Sequence, residues 1–143
     1  MQDPILRNTF LISCLVLLSM GAHAAGEHHH HHHNQIELAG TENPPAINIK
    51  LHKDAMSGWN LEVMTEHFEF TPANTNQNHV PGQGHAHVYI DGVKLGRLYG
   101  NWMHLTGLAP GPRAIKVTLN SNDHQDYVID GVVIGDEVVI NQP

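Results

Sequence analysis

The chain has 143 residues, a formal charge of −7 with histidine neutral, fourteen histidines and a single cysteine. That length suits one domain rather than two, and one cysteine excludes an internal disulfide framework. The acidic balance disfavours nucleic acid and anionic membrane surfaces as partners and favours cations.

Residues 1–24 read as a secretory signal. Arg7 supplies the positive region, residues 10–20 the apolar run, and Ala22-His23-Ala24 a small-residue cleavage site. The run is shorter than the ~20 residues of a membrane span, so the expectation is a periplasmic or secreted protein with no membrane insertion after signal cleavage. Cys14 lies inside the apolar run, with too little hydrophobic chain ahead of it for lipidation. It leaves with the signal, so the mature protein has neither a thiolate ligand nor a cysteine nucleophile.

Residues 25–46 form a His-rich N-terminal segment and linker, expected to be flexible. His28 to His33 are consecutive histidines, and two readings stand side by side: an affinity tag, or a native tract that collects borderline cations. Pro44-Pro45 then removes two backbone donors and favours extended chain.

Residues 47–143 are expected to fold as one domain. Ile47, Ile49 and Leu51 alternate with polar residues, as do Trp59, Leu61 and Val63, the period-2 pattern of half-buried strands. Phe68 and Phe70 continue the alternation on the opposite parity, which predicts a bulge or strand break near Thr65-Glu66. Residues 71–84 have the composition of a long surface loop, carrying His79 and leading into His85; it serves either as an intersheet crossover, the favoured reading, or as a cover for a metal.

Residues 82–99 look like a β-hairpin turning at Asp91-Gly92. His85 and His87 alternate with Ala86, Val88 and Ile90, so both imidazoles point to one face with Cα atoms about 6.5–7 Å apart, close enough to share an ion. The plainer alternative is two half-exposed histidines on a polar face. Farther on, Ile115, Val117 and Leu119 alternate inward, residues 121–126 form a polar loop with Asp123 and His124, and residues 127–134 and 137–140 read as two strands around Gly135-Asp136. With no sustained helical period, about seven short antiparallel strands argue for an all-β, Ig-like β-sandwich. Its expected core is Trp59, Leu61, Val63, Phe68, Phe70, Val88, Ile90, Ile115, Val117 and Leu119.

The blocks G-W-N-L at 58–61, F-x-F-T-P at 68–72, G-H-A-H-V-Y-I-D-G at 84–92 and L-A-P-G-P-R-A-I-K-V-T-L-N-S-N-D-H at 108–124 resemble a poorly characterised family of small exported bacterial Ig-like β-sandwich proteins. The resemblance covers most of residues 47–140. It implies an exported sandwich with His85, His87 and His124 as shared positions. Arg113 stands where that family often has a histidine.

Imidazole suits zinc, copper and nickel, and thioether adds a preference for cuprous ion. The leading expectation is therefore an exported metal-binding protein, copper first and zinc second, with His85 and His87 as the central pair and His104, His124 or Met103 completing the shell. Trp102 beside Met103 reads as a core residue ahead of an indole cap on the ion. Asp123 reads as a turn residue ahead of a carboxylate orienting His124. His52 and His67 are expected to face solvent. Two other classes remain: an envelope interaction module whose histidines are incidental, and a cupin-like metalloenzyme using Asp91. Against the enzyme stand Asp91's place in a turn and the arginine at 113.

Overall fold

The structure is a computed structural model and describes residues 34–143. The expected signal, Cys14 and the histidine run lie outside the described residues.

The described residues form eleven strands, in two sheets packed face to face as an all-β sandwich: β1 (Gln35–Glu37), β2 (Ala46–Lys53), β3 (Trp59–Glu66), β4 (Glu69–Phe70), β5 (Gln83–Ile90), β6 (Val93–Leu98), β7 (Trp102–Leu105), β8 (Gly111–Ser121), β9 (Asp126–Ile129), β10 (Val132–Val133) and β11 (Gly135–Gln142). The smaller sheet has the order β2-β3-β7. The larger runs β1-β9-β8-β5-β4, with β6 beside β5, β11 beside β8 and β10 beside β9. Among the described residues no helix is long and apolar enough to cross a membrane.

The alternation seen in the sequence builds the core. Leu61 and Val63 from the smaller sheet meet Val88, Ile115, Val117 and Leu119 from the larger, all fully buried. Ile49, Ala86, Leu98, Leu105, Tyr127 and Ile140 join them, while Trp59, Phe68, Phe70 and Ile90 pack at the margin. Each such large apolar side chain contributes roughly 1.5–3 kcal/mol on burial.

The strands outnumber the seven expected, and two pairings, β1 with β9 and β4 with β5, are parallel. β1 arises within the stretch read as flexible, where Gln35 to Glu37 align with Asp126 to Val128. The break expected after Val63 falls at the end of β3: His67 adopts φ 53°, and the chain leaves the smaller sheet to pair as β4 with β5. Residues 127–134 are not one strand, because Asp130 and Gly131 both take positive φ, 50° and 74°, and fold β9 and β10 into a tight hairpin. Gly135-Asp136 is not a turn but the start of β11. There Asp136 accepts hydrogen bonds from the Ile49 amide at 2.8 Å and Asn48 Nδ2 at 3.2 Å, tying the two sheets together. Trp102 is likewise not in the core: β7 turns Met103 and Leu105 inward and leaves Trp102 56 % exposed, its ring 5.6 Å from that of His52.

Candidate metal centre

The β5–β6 hairpin turns at Asp91 and Gly92, with φ of 50° and 79°, the left-handed pair of a type I′ turn. Asp91 is held there by Arg113, which donates to its Oδ2 at 2.7 Å, and by the Ala114 amide at 2.9 Å. The carboxylate of the cupin-like alternative is thus a turn clamp, and Arg113 serves that clamp.

β5 lies between β6 and β8, so its outward face is flanked on both sides. His85 is in register with Asn120, and His87 with Thr118 on one side and Arg97 on the other. Both histidines are 1 % exposed, which departs from the solvent-facing alternative. Closure comes from two connections. The β8–β9 turn carries His124 at φ 69°, fixed by the His124 amide to Ser121 carbonyl bond at 3.0 Å and the Ser121 amide to Gln125 carbonyl bond at 2.9 Å. Asp123 accepts from Ser121 Oγ and Gln125 Nε2, a turn role as expected. The loop ahead of β5, which includes one 3-10 turn at Pro72–Asn74, docks through the Asn76 amide on the Asn122 carbonyl at 2.8 Å and Thr71 Oγ1 on Asn122 Oδ1 at 2.9 Å.

Three ring nitrogens converge as a result. His85 Nε2 lies 3.1 Å from His87 Nε2 and 3.3 Å from His124 Nδ1. One candidate ligand atom from each of the three residues falls within a 4.8 Å set. A tetrahedral ion with nitrogen bonds of 2.0–2.1 Å places its ligand nitrogens about 3.3 Å apart, so the trio already has the spacing that such an ion imposes.

Neighbouring groups fix which nitrogens carry lone pairs. Asn76 Oδ1 sits 2.5 Å from His124 Nε2; the carbonyl oxygen can only accept, so Nε2 holds a proton and Nδ1 is the nitrogen turned to the trio. Lys94 Nζ, a donor only, lies 3.0 Å from His87 Nε2, which leaves that nitrogen an acceptor. His85 Nε2 lies between His87 Nε2 and His124 Nδ1. Its other nitrogen, Nδ1, is buried with no hydrogen-bond partner. Leaving a buried polar atom unmatched costs about 1–3 kcal/mol. A bound cation would give the three converging nitrogens a common partner. Burial, followed by the charges of His124, Arg97 and Lys94, lowers the pKa of His85 from 6.5 to about 4, so the ring is neutral and ready to ligate at neutral pH.

The other expected ligands lie elsewhere. His104, on β7 of the smaller sheet, is exposed and pairs through Nδ1 with Asn60 Oδ1 at 2.7 Å. Met103 packs against the apolar core. His79 meets Tyr127 edge-on, with ring centroids 5.7 Å apart. His52 binds Glu62 at 2.7 Å, and His67 is exposed at the strand break. Asn76 and Lys94 were not anticipated. The only signal for Asn76 was the length of its loop, and for Lys94 there was none.

No family model matches this chain, and neither a curated protein nor a solved structure matches it. The chemistry of the trio therefore stands on its own geometry: three imidazoles, no carboxylate among them, enclosed on the protein side and bordered by one ammonium.

Proposed function

We propose that this is an exported metal-binding protein that holds copper through His85, His87 and His124. The observation that carries the reading is the convergence of three imidazole nitrogens at 3.1 and 3.3 Å, two of the histidines being buried. An all-nitrogen neutral donor set suits copper or zinc over the oxygen-seeking magnesium and calcium ions. Copper leads because affinity for a given nitrogen site peaks at cupric ion in the divalent series, and because three imidazoles also satisfy cuprous ion. Export follows from residues 1–24, whose charged start, apolar run and A-x-A end have the pattern of a secretory signal.

The test is titration with copper and zinc of the full chain with His28 to His33 replaced by serine, beside the same chain carrying His85→Ala and His87→Ala. The expected result is one site with Kd below about 1 μM, tighter for copper and lost in the double variant. Equal weak binding by both chains would overturn the proposal and favour an interaction module whose histidines only fill space.

A further inference from the structure

The trio is bordered by more positive charge than a cation site needs. Lys94 Nζ is 3.0 Å from His87 Nε2. Arg97 pairs with His87 across the β5–β6 ladder, and its guanidinium donates to Tyr99 Oη at 3.3 Å, whose ring lies 5.5 Å from that of His85. Lys94 and Arg97 are both exposed, so this rim is the side of the site that meets solvent.

A divalent ion on three neutral imidazoles keeps its full charge, and the two cations of the rim add to it. Charges of one sign gathered beside buried groups are unfavourable unless an anion joins them. Among the described residues, the carboxylate that acts on Lys94 is Asp126, which accepts from Asn120 Nδ2 at 2.5 Å and is in register with Asn120 rather than with a histidine. Sites with three protein ligands leave a fourth position open.

We infer that the fourth position binds a small carboxylate, one oxygen on the metal and the other held by Lys94 with Arg97 behind it. The inference rests on the trio being a metal site. When the ion takes the lone pair of His87 Nε2, the ammonium that now donates to it is released beside the open position, and its flexible stem lets it turn to the incoming oxygen. Farther along β5 from His87, the same face carries a cavity of about 270 Å³ lined by Tyr89, Gly92, Lys116, Thr118, Asp126 and Val133. Tyr89 follows His87 on that face, and Thr118 is the cross-strand partner of His87. Asp126 within that lining disfavours a second negative charge, which selects a monoanionic carboxylate over a phosphate dianion.

Cobalt(II), whose visible absorption reports its coordination, tests this in the full chain with His28 to His33 replaced by serine. Affinity and spectrum would be measured in acetate, in phosphate and in chloride at one ionic strength. Acetate should tighten cobalt binding about fivefold or more and shift the visible band, with a smaller effect from phosphate. Lys94→Met should remove most of the acetate effect, bringing the ratio of the affinities in acetate and in chloride close to one. Cobalt bound with one affinity and one spectrum in all three salts would overturn the inference alone, as would an acetate effect undiminished in Lys94→Met. Phosphate matching acetate would overturn the choice of carboxylate. No cobalt bound in any salt would overturn the metal site and this inference with it.

Discussion

His85 sits between His87 and His124, and its depressed pKa links the site to the stability of the fold. The unfolded chain takes up a proton at this residue near pH 6.5, whereas the folded chain does so only near 4. The contribution of the neutral ring is thus fully present above about pH 6.5 and is lost as pH falls toward 4. The urea midpoint of the metal-free protein should decline through that window, and His85→Gln, which has no proton to gain there, should flatten the decline. An equal slope in the variant would assign the acid sensitivity to other groups.

At the scale of elements, the trio depends on how closely β5 and β8 approach. Gly84 and Ser121 face each other at the start of that ladder, and a Cβ at 84 would lie 1.9 Å from the Asn120 carbonyl oxygen. Backbone cannot yield as a side-chain tip can. Gly84→Ala should therefore destabilise the domain by about 1–3 kcal/mol or more, read by urea unfolding, and weaken metal binding because His85 is the next residue. Wild-type stability in this variant would mean that the ladder can part without cost. The hairpin and its histidine pair were legible in the sequence because period-2 alternation and an Asp-Gly turn are local signals. His124 stands beside His104 and Met103 as a candidate with no local signal to single it out, since its place depends on a turn folding back over a strand 39 residues away. Asn76 arrives on a loop with no periodicity at all. His104 and Met103 looked equally able to serve, and what separates them from the trio is their strand joining the other sheet, a fact of topology that adjacent residues do not encode.

Across the whole molecule, the two sheets are joined by apolar packing and by a few polar ties, of which Asp136 makes two to β2. Asp136→Ala would leave the buried-side Ile49 amide without its acceptor, and the expected loss is about 1–3 kcal/mol, measured by chemical denaturation with copper absent. Because the trio lies on the outer face of the larger sheet, metal affinity should change far less than stability; a parallel fall in both would show that the site needs the sheets clamped together. The outer face also depends on an irregularity between β5 and β6. Arg97 pairs with His87 and Gly96 with Val88, but Tyr89 pairs with Lys94, so the register shifts at Leu95. In an unbroken ladder Lys94 would share the core-facing parity of Val88. The extra residue instead brings Lys94 and Arg97 to the same side as the imidazoles. Removing Leu95 should therefore straighten the strand while leaving Lys94 opposite Tyr89, with its ammonium still on the side of the imidazoles.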